Sequence, residues 1–342
     1  MTASIRDVAQ RAGVSVSTAS RALNNKPDIN KDVRLRVLAV AAELNYTANV
    51  HARVLGGARS RTLGLIIAST SAPFLNTVVS GILDTVAANG YSIIVHNTDE
   101  DPQHELQAYQ QLRAQRVIGL LVTSVQSGSA PLRQMQREGI PFVLVNRKLD
   151  DLDTDYALGD LRAGLWQIVA HLHELGHRRI AFLGGRMDRF PVCERWIGYR
   201  EGLKEHGVPY DPALVPTWDE KMDSVDGLVR ELIQNPQPPT AIFTYSDWTA
   251  AAVLSSLYEL GCRVPEDVSV VGYDDLPFAR FLTPPLTSVI QQAYEIGQAG
   301  AQILADRLRQ PADEPWTVRH VVFKPELVVR QSTGAAPAKG RP

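Results

Sequence analysis

The chain has 342 residues, which is enough for two or three domains of ordinary size. Hydrophobic residues make up 44% of it and charged residues 21%, which excludes a mainly disordered or collagen-like protein. Two cysteines, Cys193 and Cys262, exclude a disulfide scaffold, and neither a secretory signal nor a bilayer-spanning apolar run is evident. We therefore expect a cytoplasmic protein that does not contact a membrane.

The net charge of −2 conceals an uneven distribution of charge along the chain. Residues 1–61 contain ten basic and four acidic side chains, whereas the other 281 residues contain 25 basic and 33 acidic ones. A basic N-terminal segment on an acidic body indicates that the segment binds a polyanion and the body does not. The alternative is a pair of solvated charged helices without a partner.

Three helices are predicted in residues 1–46. Ser4 and Asp7 have the spacing of a capping box, which predicts a helix over 5–11 that ends at Gly13. A second helix is predicted over 16–23 and a third over 31–44, each with apolar residues at helical spacing. Two short helices around a tight glycine turn form a helix-turn-helix unit.

If this unit binds DNA, the start of its second helix enters the major groove. The exposed residues there are Val16, Ser17, Thr18 and Arg21. A guanidinium can bond a guanine edge or a phosphate, hydroxyls can bond bases or phosphates, and valine can contact a thymine methyl. A three-helix packing module without DNA is the structural alternative.

Residues 5–24, IRDVAQRAGVSVSTASRALN, strongly resemble the DNA-binding segment of the lactose-repressor (LacI/GalR) family. The resemblance continues to residues 323–332, FKPELVVRQS, which are similar to the family's terminal strand. We therefore predict DNA contacts from nine residues: Ser4, Val16, Ser17, Thr18, Arg21, Asn24, Asn49, Ala52 and Leu55.

Residues 47–61 are predicted to be a linker, and a solvated tether is the simplest interpretation. The family resemblance implies that residues 49–55 are a hinge that folds into a helix on DNA. Leu55 then matches the apolar wedge that enters a minor-groove base step. A short isolated helix is marginal in water, so DNA would stabilise it. Gly56 shortens any such helix.

From residue 62 onward, apolar strand-like runs alternate with amphipathic stretches, which predicts parallel sheets with helices on both faces. Strands are predicted at 63–68, 91–95, 117–123, 142–145, 180–183, 241–244, 268–272 and 286–290. Helices are predicted near 75–89, 103–115, 131–138, 160–175, 194–206, 224–234, 248–260 and 293–309. About 280 residues are too many for one such sheet, so two doubly wound α/β lobes are expected.

By resemblance, this core is similar to periplasmic sugar-binding proteins, and the family architecture implies three chain crossings between its lobes. The N-lobe is then residues 62–160 and 292–322, and the C-lobe is residues 161–291 and 323–330. Residues 331–342 are predicted to be a disordered tail.

Polar and aromatic residues that follow the predicted strands are candidates for a ligand site, because ligands bind such folds at the carboxyl ends of strands. Arg195 matches the family's arginine that bonds ligand hydroxyls. The predicted effector-binding residues are Phe74, Asn146, Arg147, Arg195, Ser246, Asp247 and Asp274. Carboxylates and guanidiniums around an aromatic face suit a sugar or sugar derivative, and two arginines would also suit an acidic sugar. An aspartate after a strand can instead be a helix cap.

These features favour a regulator, most of all a repressor, that binds pseudo-palindromic operator DNA and whose affinity an effector modulates. The symmetry of such a site requires a homodimer, with a tetramer left open. The enzyme hypothesis lacks a nucleophile, base or metal set, and the sugar-transport hypothesis lacks an export signal. No cofactor or metal is expected: His173 and His177 lie on either side of Gly176, and Gly184-Gly185 lacks the rest of a dinucleotide motif.

Overall fold

The computed structural model describes residues 3–46, 60–187, 189–216, 224–311 and 313–338. The chain forms two compact units, Met1–Ser60 and Arg61–Pro342. The first unit is a helical head, and the second is an α/β core.

The head contains the three predicted helices: α1 (Ile5–Arg11), α2 (Val16–Leu23) and α3 (Lys31–Glu43). The predicted capping box is present, since the Ser4 hydroxyl accepts from the Asp7 N–H and the Asp7 carboxylate accepts from the Ser4 N–H. Gly13 has a φ of +66°, which permits the tight turn before α2. Small apolar side chains fill the head's interior: Val8, Ala9, Ala12, Ala19, Ala22, Val37, Val40 and Ala41.

The core alternates strands with helices, as predicted from the hydrophobic runs. Its strands are β1 (Thr62–Ile67), β2 (Ser92–Asn97), β3 (Leu120–Val122), β4 (Phe142–Val145), β5 (Tyr156–Gly159), β6 (Ile180–Leu183), β7 (Ala241–Thr244), β8 (Ser269–Asp274), β9 (Thr287–Ile290), β10 (His320–Phe323) and β11 (Glu326–Val328). Its α-helices are α4 (Pro73–Ala88), α5 (Pro102–Ala114), α6 (Ala130–Arg137), α7 (Leu161–Glu174), α8 (Phe190–Glu205), α9 (Val225–Gln234), α10 (Asp247–Glu259) and α11 (Ala293–Arg309).

These strands form two sheets, each the centre of one lobe. The first sheet is parallel, in the order β10-β5-β4-β3-β1-β2, and the second has the order β11-β9-β8-β7-β6 with only β11 antiparallel to its neighbour. The chain therefore passes between the sheets three times, after β5, after β9 and after β10. A buried apolar cluster lies on each face of both sheets, as a doubly wound fold requires.

Two strands of the first sheet were not predicted from the hydrophobic runs. β5 has only four residues and is followed directly by Asp160, the N-cap of α7, so its pattern merges with that of the helix. β10 is a four-residue edge strand in which exposed and half-buried residues alternate, so its apolar run is short. Both are held in place by pairing with strands that are distant in sequence.

The prediction of a disordered tail from residue 331 is wrong for residues 331–336. Ser332 is fully buried: its hydroxyl donates to the Val270 carbonyl at 2.6 Å and accepts from the Thr287 N–H at 2.8 Å. The Gly334 carbonyl lies 3.0 Å from the Nε2 of His177. This segment looks like a tail in the sequence because its small polar residues bond to the core rather than packing apolar surface.

Candidate DNA-contacting surface and ligand pocket

The first turn of α2 presents an exposed surface. Ala19 and Ala22 are buried against the other two helices and fix the orientation of α2. Val16 is 44% exposed, Ser17 and Arg21 are exposed, and Thr18 is half-buried with its hydroxyl 2.9 Å from that of Ser15. The four side chains predicted to contact bases therefore lie within the first two turns of α2.

Three of the predicted DNA contacts, Arg21, Asn24 and Ser4, bond to other residues of the head. The Arg21 guanidinium pairs with Asp28, and both side chains are about half exposed. Asn24 donates to the Ser20 carbonyl at 2.8 Å, and Ser4 caps α1. An exposed ion pair contributes little to stability, so Arg21 can exchange Asp28 for DNA at small cost. The other three predicted DNA contacts, Asn49, Ala52 and Leu55, lie outside the described residues.

A cavity of about 350 Å³ opens at the carboxyl ends of strands from both sheets. Phe74, Ser246 and Asp274 line it, as do several residues outside the predicted effector-binding set: Ser69, Ser71, Asp99, Glu100, Arg189, Tyr245, Trp248 and Leu276. The first lobe supplies residues 69, 71–75, 99 and 100, and the second lobe supplies the other lining residues. The pocket is therefore assembled from both lobes, as the strand-end rule predicts.

Glu100, which lines this pocket, lies near two arginines, of which Arg189 also lines the pocket and Arg147 does not. Its carboxylate lies 2.7 Å from the Nε of Arg189 and 3.9 Å from an Nη2 of Arg147. Glu100 follows β2 in the first lobe, whereas Arg189 precedes α8 in the second, so the shorter contact is an ion pair between lobes. Burial, together with the neighbouring guanidiniums of Arg195 and Arg189, lowers the pKa of Arg147 to about 10, although the charge of Glu100 opposes this shift.

The second charged pair is Arg195 with Asp274. The Nη2 of Arg195 lies 3.6 Å from an Asp274 oxygen, and its guanidinium lies 4.1 Å above the Tyr273 ring. Asp274 also accepts a 2.8 Å hydrogen bond from Gln291. Burial raises the pKa of Asp274 to about 6, although the charge of Arg195 opposes this shift.

Four buried polar atoms beside these pairs have no hydrogen-bond partner among the described residues: the Arg195 Nε, the Asn146 Oδ1, the Tyr273 hydroxyl and the Gln291 Oε1. Neither Arg195 nor Asn146 lines the cavity, but Arg195 pairs with Asp274, which does line it. Buried polar atoms are normally satisfied, so a bound molecule with hydroxyl groups would meet a need that the protein leaves open.

Asp247, which was predicted as a ligand contact, has a structural position in the core. It is fully buried and does not line the pocket. One oxygen of Asp247 accepts from the Leu276 N–H at 2.6 Å, and the other accepts from the Ser288 hydroxyl at 2.6 Å. These bonds connect α10 to the segment after β8 and to β9. Ser246 caps α10 by accepting from the Thr249 N–H, and it also lines the pocket.

The charge of Asp247 should make stability depend on pH. Burial, together with the charges of Asp274 and Asp275, raises the pKa of Asp247 to about 7. The hydrogen bonds from Ser288 and Leu276 oppose this shift, because they stabilise the charged carboxylate. A raised pKa means that stability is fully present below the unfolded value of 3.8 and is lost as pH rises through about 7. Each pH unit in that window costs at most about 1.4 kcal/mol.

We therefore expect Asp247→Asn to gain stability relative to the wild type as pH rises from about 4 to 7. The melting temperatures of both proteins across this pH range measure the difference in stability. The contributions of other titrating groups cancel, because both proteins contain them. Asp150→Asn, which removes a carboxylate that is 91% exposed and pairs with Lys148, is the control and should show a much smaller change. A constant difference for Asp247→Asn would contradict the proposed burial of its charge.

Glu100 and Arg189 were missed because their positions relative to strands were not recognised. Asp99 and Glu100 follow the end of β2, and Arg189 lies in the segment after β6, so the strand-end rule applies to all three. β2 extends two residues beyond its predicted end. Arg189 is separated from its strand by five residues, Gly184 to Asp188.

Two other concavities, of about 470 and 420 Å³, lie on the outer face of α8 and at the amino end of the first sheet. Neither adjoins the carboxyl ends of the strands. Among the described residues, no three histidine, cysteine or acidic side chains are grouped to hold a metal ion. No described helix has the length and apolar character needed to cross a membrane.

Both units of the chain are similar to known protein families. Residues 4–49 match the model of bacterial regulatory proteins of the lacI family, and residues 169–333 match a periplasmic binding protein-like domain. The ribose operon repressor of Escherichia coli (strain K12) is 33% identical over 310 residues, which cover 90% of this chain and 94% of the relative.

Two solved structures extend the similarity over almost the whole chain. The complex of the transcriptional regulator CelR with cellobiose is 31% identical, with a TM-score of 0.72, and covers 96% of this chain and 99% of its own. The lac repressor dimer bound to operator and the anti-inducer ONPF is 26% identical, with a TM-score of 0.84, and covers 98% and 100%.

A helix-turn-helix head followed by a two-lobed core with a pocket between its sheets defines a DNA-binding transcriptional regulator of the ligand-responsive class. The similarity to the ribose operon repressor extends through both units. The chain belongs to the lacI family of bacterial regulatory proteins.

Proposed function

We propose that this protein is a repressor that binds a pseudo-palindromic operator as a homodimer and responds to a sugar or sugar derivative. The observation that carries the proposal is the pocket that both lobes build, with buried charges and unsatisfied polar atoms beside it. Cellobiose and operator DNA are bound by the solved relatives named above, which supports these two kinds of ligand.

The proposed mechanism couples the separation of the lobes to DNA binding. A ligand that contacts Phe74 in one lobe and Arg195 or Asp274 in the other stabilises one arrangement of the two. β1 begins at Thr62, directly after the linker, so a shift of the first lobe is transmitted to residues 47–61. Coupling is reciprocal: an effector that weakens operator binding is itself bound more weakly by the DNA complex.

Operator binding tests this proposal. DNA upstream of the protein's own gene is titrated with the full-length protein at several salt concentrations, and fluorescence anisotropy is recorded with and without added sugars. We expect a specific site bound more tightly than random DNA and released by at least one sugar. Equal affinity for upstream and random DNA would overturn the proposal.

Arg21→Ala tests the major-groove contact. We expect operator affinity to fall by roughly 1–3 kcal/mol if the guanidinium bonds a base edge, with little change for random DNA. The matched control is Arg11→Ala, which removes an exposed arginine of α1 that pairs with Glu43. Equal losses on operator and random DNA would show that Arg21 contacts only phosphate.

A further inference from the structure

The concavity of about 470 Å³ on the outer face of α8 shares no lining residue with the pocket between the lobes. Its lining includes the buried side chains of Leu203 and Val208 and the rings of Trp196 and Tyr210. Tyr210 is 39% exposed and packs edge-on against the buried ring of Tyr199, with the ring centres 6.3 Å apart. The second lobe therefore presents an apolar surface with aromatic walls to the solvent. We call it the α8 concavity.

Arg200 lies in the α8 concavity between two aromatic rings. Its guanidinium carbon is 4.9 Å from the centre of the Trp196 ring and 5.2 Å from that of the Tyr210 ring. Lys204 lines the same concavity, one helical turn further along α8. Neither of these two cationic side chains forms an ion pair or a hydrogen bond with any residue that the structure describes. Their N–H donors therefore remain available to an acceptor.

The acidic residues of α8 are engaged with the neighbouring helix instead. Glu194 and Glu201 lie 2.8 and 4.0 Å from the guanidinium of Arg162, which belongs to α7. The Glu205 carboxylate accepts a 2.6 Å hydrogen bond from the indole of Trp166, also in α7. Of these three acidic residues, only Glu201 lines the α8 concavity. The lining therefore contains two cations and one carboxylate, which gives it a net charge of +1.

We propose that the α8 concavity is a second ligand site, which binds an aromatic monocarboxylate. The carboxylate of such a ligand pairs with Arg200 and Lys204, because charge-assisted hydrogen bonds are stronger than neutral ones. One negative charge balances the net charge of the lining. The aromatic body covers the apolar floor and stacks on the rings of the wall, as aromatic pairs prefer. This ligand differs in class from the polyhydroxylated effector proposed for the pocket between the lobes.

The experiment compares three matched probes on the full-length protein. Phenylacetate has both features of the proposed ligand, phenylacetamide lacks its charge, and cyclohexylacetate lacks its aromatic ring. The protein is labelled with 5-fluorotryptophan, and each probe is titrated while the fluorine NMR spectrum is recorded. Single exchanges of tryptophan for phenylalanine assign the resonances.

The tryptophan resonances report where each probe binds. Trp196 lines the α8 concavity, Trp248 lines the pocket between the lobes, and Trp316 lines the concavity at the amino end of the first sheet. We expect phenylacetate to shift the Trp196 resonance saturably. Its Kd should be roughly fivefold lower than that of either other probe, because pairs between exposed charges are weak.

Variants assign this preference to its residues. Exchange of both Arg200→Gln and Lys204→Gln should remove the difference between phenylacetate and phenylacetamide, whereas Arg200→Lys retains the charge and should keep most of it. Lys204→Gln alone should reduce the difference, which keeps the test available if Arg200→Gln does not fold. Arg230→Gln, at an exposed position of α9 outside the lining, is the matched control and should leave the difference unchanged.

Four results would overturn the inference. They are a phenylacetate Kd equal to that of either other probe, no binding of phenylacetate, a shift of the Trp248 or Trp316 resonance without one of Trp196, and a preference for the acid that persists in the double variant. None of these results bears on the proposed function, which operator binding tests separately.

Discussion

Replacement of Arg195 by glutamine is expected to weaken effector binding by about 100-fold and to leave operator affinity unchanged. Arg195 is 6% exposed, its Nε has no hydrogen-bond partner in the described part of the chain, and hydrogen bonds to a charged group contribute about 1.5–3 kcal/mol each. Glutamine retains a hydrogen-bonding side chain but loses the charge that faces Asp274. The head is a separate compact unit, so its own contacts with DNA are retained.

Anisotropy of labelled operator, titrated with the effector that releases it from the wild type, measures this response. Arg162→Gln is the matched control in the same lobe, because Arg162 pairs with Glu194 at 2.8 Å and does not line the pocket. An unchanged effector midpoint for Arg195→Gln would exclude the proposed contact. A lower melting temperature together with lost operator binding would indicate a structural role.

Gly297→Ala is expected to destabilise the core by about 3 kcal/mol, at the upper end of overpacking costs. Helices α4 and α11 cross at two glycines: a Cβ at Gly297 would lie 2.0 Å from the Val78 carbonyl oxygen, and one at Gly81 would lie 2.1 Å from that of Tyr294. Backbone atoms cannot rotate away as side chains do, so the helices must separate. The first lobe would then lose packing on its sheet.

Gly227→Ala provides the control for this prediction. Gly227 lies in α9, and the nearest atom to an added Cβ is the Ser224 hydroxyl at 3.7 Å. The same exchange there should stabilise the protein by up to about 1 kcal/mol, because alanine favours helices more than glycine does. Thermal unfolding followed by circular dichroism compares the two variants. Equal stability of Gly297→Ala and the wild type would contradict the close helix crossing.

The local chemistry of the chain was sufficient to predict the head and most of the core. The capping box at Ser4, the turn at Gly13 and the apolar spacing of α2 act within a few residues, so they leave a signature in sequence. Strand–helix alternation predicted two parallel-sheet lobes for the same reason. The strand-end rule also placed Phe74, Ser246 and Asp274 at the pocket.

Only the tertiary structure decided which polar groups meet. Asp247 and Asp274 both lie at the end of a strand, but Asp247 bonds to Ser288 and Leu276, whereas Asp274 lines the pocket and pairs with Arg195. Glu100 forms an ion pair with Arg189 of the other lobe, and the Ser332 hydroxyl donates to the Val270 carbonyl of β8. Hydrophobic periodicity reports on the side chain's own element, whereas a polar partner is set by contacts between segments far apart in the chain.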